Sequence, residues 1–445
     1  MRPYSFSQVC RWLNHPVTSS LSISGAAVDS RLLKKGDLFF ALPGSNKDGH
    51  EFLQEVALKG ACSAVVNQNY RGDNYGLELI FVADVLEALQ WVATQVLKSV
   101  PCKIIAVTGS VGKTTTKDFI TTLLLKKFRV GFTPGNSNSQ IGLPLAILNH
   151  IKGDEEVLSI EMGMTHPNQI KKLIQIAPPD IALITTTALV HACNFKNLSE
   201  IGLAKGEIFT HPKTKVGLID KRIVNFHEIC SIGNCEKLSF GLECSDAHFN
   251  LRIEGEKMIL NDSMSQGILH LLSLPGLHNK HNFLAAAAVA RQMGMSWEEI
   301  NAEIPLLSLP ERRLEQIEKH GALFVNDSYN ANALSVKAAL ASMPSPKSGG
   351  KKIAVLGEML ELGNFSESCH REVAETALQY VDLMFCFGKE CLPIKEVWKA
   401  AGKPVELFNE RKELVNALRD VLGQGDVVLL KGSRSKQTWK VLEEI

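Results

Sequence analysis

"KIIAVTGSVGKTTTK", residues 103–117, decides how this chain is read. An apolar run from Ile104 to Val107 is followed by Gly109, Ser110, Val111, Gly112, Lys113, Thr114 and Thr115. A strand, a glycine loop and a helix in that order form a phosphate cradle. The general pattern places a glycine five residues before the Gly-Lys pair; here that position is Val107, and Gly109 stands three before Gly112. Glycines at 109 and 112 let loop N–H groups approach an anion without a Cβ in the way. The next helix aims its positive end at the same point. Lys113 supplies a cation for the β/γ oxygens of a nucleotide, and Thr114 a hydroxyl for Mg²⁺. The plain alternative is a glycine-rich strand–helix turn.

Working outward, apolar runs alternate with amphipathic segments: "VLSIEMG" (157–163), "DIALITTT" (180–187) and "VGLID" (216–220), with "PNQIKKLIQIA" and "LSEIGLAKGEIF" between. Such alternation predicts a parallel sheet covered on both faces. The Ala285–Ala288 run permits close helix packing. Before the loop, "GDLFFALPG" (36–44) and "CSAVVN" (62–67) read as strands, and 83–98 as a helix with Val85, Leu89, Val92, Val96 and Leu97 on one face. After "LPER" (309–312), four more apolar strands end in polar or glycine-rich loops: "ALFVNDSYNAN", "KIAVLGEMLELG", "LMFCFGK" and "DVVLLKGSRS". The expected fold is α/β in three domains: 1–100 mixed α/β, 101–308 a P-loop ATPase-like parallel sheet, and 309–445 a Rossmann-like parallel sheet. Ligands in such sheets sit beyond the carboxyl ends of the strands.

At 445 residues the chain exceeds one ordinary core. Lys+Arg total 48 against Asp+Glu 47, so no global field draws it to nucleic acid or an anionic membrane. No apolar stretch approaches the ~20 residues of a membrane span. Ten scattered cysteines without a C-x-x-C pair read as reduced thiols. A cytoplasmic monomer is expected.

Several polar residues lie at strand ends. Glu161 closes "VLSIEMG", where a carboxylate near a phosphate loop suits Mg²⁺. His191 follows "DIALITTTALV"; a lone histidine is more often structural than a ligand. Lys205 in "GLAKGEIF" reads from composition as a surface lysine. Asp327, Asn330 and Asn332 follow a strand, although asparagine turns are common. Arg312 and Arg313 sit at an inter-domain position suited to reaching a phosphate. "KGSRS" (431–435) suits a carboxylate or phosphate, while His370, Glu358 and Glu361 have no unique reading.

These pieces, in this order, resemble the Mur ligases, ATP-dependent amide-forming enzymes of peptidoglycan precursor synthesis. "TGSVGKTTTK" matches that family's short loop, T-G-[ST]-x-G-K-[ST]; the missing glycine is its pattern. "PGLHNKHNFLAAAA" (275–288) resembles its H-N-x-x-N-x-L-A-A segment, "LPERRLEQI" its arginine motif, and "NDSYNANALSVKAAL" (326–340) its aspartate-bearing loop. "DSYNAN", "VLGEMLELG" and "LLKGSRS", with "DSRLLKKGDLFFALPG" (29–44) and "DGHEF" (48–52), are similar to the D-alanyl-D-alanine-adding member. The likeness runs from about residue 25 to 436. Another family member or a folylpolyglutamate synthase-like ligase would share the loop; a nucleotide switch would hydrolyse without forming an amide.

The resemblance implies ATP and Mg²⁺ as cofactors, and UDP-N-acetylmuramoyl-tripeptide and D-alanyl-D-alanine as substrates. Lys113 and the loop amides would hold ATP phosphates, and Thr114 and Glu161 one Mg²⁺. His191 and Lys205, the latter carbamylated, would serve a second. Asn279 and Asn282 would contact adenine, while Arg313 and Asp327 would complete the ATP site. Ser30 and the 44–50 loop, with Gly44 and His50, would touch the uridine nucleotide. Asn330, Lys431, Ser433 and Arg434 would lie near the dipeptide or muramyl peptide. The chain departs from the family at Ala192-Cys193, usually Leu-Glu, at Arg312, usually Gly, and at Ala333, often Pro.

Overall fold

A computed structural model describes residues 4–17, 19–44, 47–347 and 349–445. Three sheets carry the architecture. The first has four parallel strands, Gly25–Ala27, Asp37–Phe40, Ser63–Asn67 and Glu78–Val82, in that spatial order. A small antiparallel pair, Tyr4–Ser5 with Ser22–Ile23, precedes it. The helix Phe6–Trp12 follows Ser5 in a capping box with Gln8.

The helix Val85–Lys98 starts at the Asp84 cap and buries the five predicted apolar residues. It packs against the helices Gly142–His150 and Gln169–Ile176, which belong to the next unit. One continuous core therefore runs from Phe40 and Val65 through Leu89 and Val92 to Ile147 and Leu173. Asn149 completes the junction at the open but buried edge strand of the first sheet. Its side chain accepts from Ala26 N at 2.8 Å and donates to Ala26 O at 2.9 Å.

The second sheet has nine strands. Six run parallel, in spatial order Val130–Phe132, Val157–Glu161, Lys103–Thr108, Ile181–Ile184, Val216–Asp220 and Glu236–Leu242. Phe249–Glu254 continues in parallel, but Lys257–Asn261 and Gln266–His270 return antiparallel. This corrects the expectation of a wholly parallel central sheet. The Glu254-Gly255-Glu256 turn, with Gly255 at φ +60°, reverses the chain after only six residues. The helix Leu277–Gln292 lies on the helix Lys113–Leu124, and Ala285–Ala288 are fully buried there.

The third sheet orders its strands Glu315–Lys319, Ala322–Asn326, Val427–Lys431, Lys352–Gly357, Leu383–Phe387 and Val405–Phe408. All pairs are parallel except the first. Two edge strands had not been expected. Glu315–Lys319 is charged or polar at every position but Ile317 and has no fully buried residue, as an edge facing water does. The strand Val427–Lys431 lies between two strands that precede it in sequence. The loops after all three converge at a topological switch point. Among the described residues no helix is long and apolar enough to cross a membrane.

Candidate functional site

The phosphate loop leaves the central strand Lys103–Thr108, between Val157–Glu161 and Ile181–Ile184. Gly109 has φ +152° and Gly112 φ +84°. A Cβ at Gly109 would strike Thr185 Oγ1, and one at Gly112 would strike Asn282 Oδ1. Close packing as well as backbone freedom thus requires both glycines. Gly112 is the N-cap of the helix Lys113–Leu124 and offers no side-chain cap. The first-turn N–H groups remain available to an anion.

Glu161, 1% exposed, organises this end. Its Oε2 accepts from Thr114 Oγ1 at 2.8 Å and its Oε1 from Asn138 Nδ2 at 2.6 Å. Lys113 Nζ lies 4.0 Å from Oε1 and donates to Gly109 O at 2.9 Å. Burial pushes the Lys113 amine down, against the opposing pull of Glu161. Lys205 lies on the helix Leu198–Gly206 and is 3% exposed, correcting the surface assignment made from composition. Its amine falls well below the usual lysine range, through burial first and the Lys113 charge second.

Facing this set across a cavity of about 820 Å³ are residues of the third sheet's loops. Arg313 stacks on the Tyr329 ring at 4.3 Å, and Arg434 approaches the same ring at 5.5 Å. Among the described residues the Tyr329 hydroxyl and Arg313 Nε have no hydrogen-bond partner, though both are shielded. Burial pushes the Tyr329 phenol up, and the Glu161 carboxylate adds to that rise. His278, on the cavity wall, is pushed down to about 4 by burial. His191 also lines the cavity, and its Nδ1 meets Glu361 of the third sheet's second loop.

The remaining candidates divide. Asn279, Asn282, Arg313, Asp327, Asn330 and Arg434 all line the cavity. Asn282 Nδ2 donates to Asn279 Oδ1 at 3.2 Å, so the pair is pre-arranged beside Gly112. Lys431 reaches the cavity wall, but its ammonium is committed within the chain. It bonds Asp327 Oδ2 at 2.5 Å, Asn330 O at 3.0 Å and Asp327 O at 3.2 Å. It holds the 327–330 loop in place rather than presenting a free cation. Ser433 is not on the wall; its Oγ accepts from Leu360 N at 2.9 Å, which fixes the neighbouring loop.

Ser30, Gly44 and His50 belong to the first unit, and none lines the cavity. Both His50 ring nitrogens are engaged. Nδ1 bonds Asp48 at 2.6 Å and Nε2 accepts from Asn67 N at 2.9 Å, while Tyr70 stacks on the ring at 5.3 Å. These contacts hold the ring against the 48–50 turn. Gly44 N donates to Lys47 O at 3.0 Å, and the Ser30 carbonyl accepts from Lys59. Residues 45 and 46 of the expected uridine loop lie outside the described residues. Asn138 and Tyr329 were not singled out from sequence. "TPGNSNSQ" offers several equivalent polar residues, and the tyrosine lay within a motif read for its aspartate and asparagines.

Two family models match the chain: the Mur ligase middle domain over residues 107–290, and the Mur ligase glutamate ligase domain over 312–434. The UDP-N-acetylmuramoyl-tripeptide–D-alanyl-D-alanine ligase of Bacillus subtilis is 32% identical, covering 97% of this chain and 95% of the relative. The chain belongs to the Mur ligase family. The Escherichia coli enzyme of the same name is 30% identical over 99% of this chain and 98% of its own length. Among solved structures of the family, MurF from Acinetobacter baumannii superposes with TM-score 0.87 at 26% identity, covering 100% of this chain and 99% of that one. MurF of Thermotoga maritima in complex with ADP gives 0.79 at 28%, covering 96% and 98%.

Proposed function

We propose that this chain, acting in the cytoplasm, joins D-alanyl-D-alanine to the C-terminal carboxylate of UDP-N-acetylmuramoyl-tripeptide, converting ATP to ADP and phosphate. One observation carries the reading. A single cavity sets the phosphate loop, Glu161, Lys205 and His191 against Arg313, Asp327 and Tyr329 from another sheet. A carboxylate is a poor electrophile because oxide does not leave. Its attack on the γ-phosphorus of ATP breaks the bond to the β-phosphate oxygen and makes an acyl phosphate. The dipeptide amine then attacks the carbonyl carbon, and phosphate departs.

The chain's own groups serve these steps by position and charge. Loop N–H groups and Lys113 hold the β/γ oxygens, and Arg313 approaches from the facing unit. The Tyr329 hydroxyl, without a hydrogen-bond partner among the described residues, donates to the anionic reacting group. Lys431 fixes Asp327 and Asn330, and Asn279 and Asn282 form the base-binding wall. Packing of the two units about the cavity excludes water from a hydrolysable intermediate.

Among the described residues no group of three or more His, Cys, Asp or Glu gathers as a ready-made metal site. Mg²⁺ commonly takes one or two carboxylates and completes its shell with phosphates and water. Thr114 and Glu161 fit that demand for one ion. A second near His191 needs another anionic oxygen, which a carbamate on Lys205 supplies; burial shifts that lysine toward the neutral amine, the form that adds CO₂. When bound, the ions neutralise charge on the transferring phosphoryl group.

ADP release tests the reading, measured with ATP, muramyl tripeptides carrying meso-diaminopimelate or lysine, and D-Ala-D-Ala, L-Ala, D-Glu or L-Glu as acceptor. Release should require a tripeptide and D-Ala-D-Ala together. Equal release without an acceptor, or with L-Glu, would overturn it.

A further inference from the structure

The contact between His191 and Glu361 joins two sheets, and neither residue reaches it in relaxed backbone. His191 has φ +52° and Glu361 φ +64°, left-handed positions that cost a residue with a Cβ on the order of 1–2 kcal/mol. The strain is sustained by surroundings that hold both segments. Glu361 O accepts from Cys193 N at 3.1 Å. Gly363, φ +56°, lies so close to Cys193 that a Cβ there would come within 3.0 Å of its Cα. Ala192 is buried in the same core as Met359 and Leu362, although it belongs to the other unit.

The Glu361 loop is itself fixed from behind. Met359 N donates to His370 Nε2 at 3.1 Å, and His370 Nδ1 bonds Ser366 O at 2.7 Å. Leu360 N donates to Ser433 Oγ, and Ser433 N to Glu358 O at 3.0 Å. The two segments are thus joined without the carboxylate, which is left to act on the imidazole. A carboxylate on Nδ1 fixes the tautomer with hydrogen on that nitrogen. The lone pair of Nε2, which has no hydrogen bond among the described residues, is then available to the cavity that His191 lines.

We propose that Glu361 is a positioning residue, which orients His191 from the facing unit so that Nε2 can hold the second divalent cation. His191 becomes a competent ligand when the third sheet's loop is docked, so seating of that unit and cation binding are coupled. The proposal rests on the metal reading of His191 given above.

Mn²⁺ binding, followed by loss of the free-ion electron paramagnetic resonance signal, tests it in bicarbonate buffer with a non-hydrolysable ATP analogue. Wild type should bind two ions. Glu361→Ala should weaken the second about 10–100-fold, the usual effect of losing such a partner, and leave the first unchanged. Glu361→Gln, whose amide oxygen can still accept from Nδ1–H, should fall between and carries the test if the alanine variant does not fold. Nucleotide affinity in EDTA should not change, whereas a purely structural latch would weaken it. Two ions bound with wild-type affinity in both variants would overturn the proposal alone. A single ion in wild type would overturn the His191 assignment and the proposal together.

Discussion

Lys205 is the residue whose replacement separates function from stability. Its amine is 3% exposed and makes no hydrogen bond or ion pair among the described residues. A buried polar group left without a partner costs about 1–3 kcal/mol. Methionine fills nearly the same volume without that cost. Lys205→Met should therefore melt higher in bicarbonate-free buffer. With ~2–4 °C per kcal/mol for a unit of this size, the gain is roughly 2–12 °C by calorimetry. The pH dependence gives a second reading. Because the folded pKa lies below the unfolded one, the unfolded chain binds the extra proton between them. Stability then rises with pH across that window, up to the ordinary lysine value of 10.5, by at most about 1.4 kcal/mol per unit. The variant should lose that contribution to the slope. The same substitution should lower turnover about 10–100-fold or more, because it removes the amine proposed to carry the carbamate. Lys205→Ala, which leaves space, should regain part of its activity with formate or acetate. A methionine variant that melts below wild type, or an alanine variant fully active without rescue, would refute the assignment.

Lys113→Ala should abolish turnover, because it removes the ammonium that lies 4.0 Å from Glu161 and bonds Gly109 O; a wild-type rate of ADP release would remove the loop from the reaction. Tyr329→Phe should lower kcat about 10-fold, the effect of roughly one hydrogen bond of 1.4 kcal/mol, with KM for ATP unchanged because the ring still stacks on Arg313. Asn149→Ala should destabilise by about 1–3 kcal/mol in urea titration, since Ala26 N and O at the first sheet's edge both lose their partner.

The parts of the site legible in sequence are those built by consecutive residues. Val107 to Thr115 contain the strand end, the glycines, the lysine and the hydroxyl, so the local order specifies the geometry. Glu161 was readable because a carboxylate ending an apolar strand has few structural reasons to be there. Lys205 was misread because its burial comes from distant packing. Its own helix exposes Leu203 while hiding the lysine, the reverse of what composition suggests. The internal engagement of His50 and Ser433 was hidden for a related reason: their partners, at Asn67 and Leu360, lie far off along the chain. The return strands after Gly255 and the edge strand Glu315–Lys319 are half-polar and short, and so carry little of the continuous apolar signal that revealed the parallel strands.

The anchoring of the three units also bears on chemistry. The first and second share one core, so the first sheet and the phosphate loop are held on a common frame. The third has cores of its own and reaches across chiefly at Leu189, Ala192 and Leu309. Arg313, Asp327 and Tyr329, as well as Glu361 opposite His191, all come from this third unit. That side of the cavity thus depends on how the unit is seated, whereas the phosphate loop does not. A nucleotide at the phosphate loop is thus enclosed on its other side by Arg313, Asp327 and Tyr329, and that enclosure keeps water from a hydrolysable acyl phosphate.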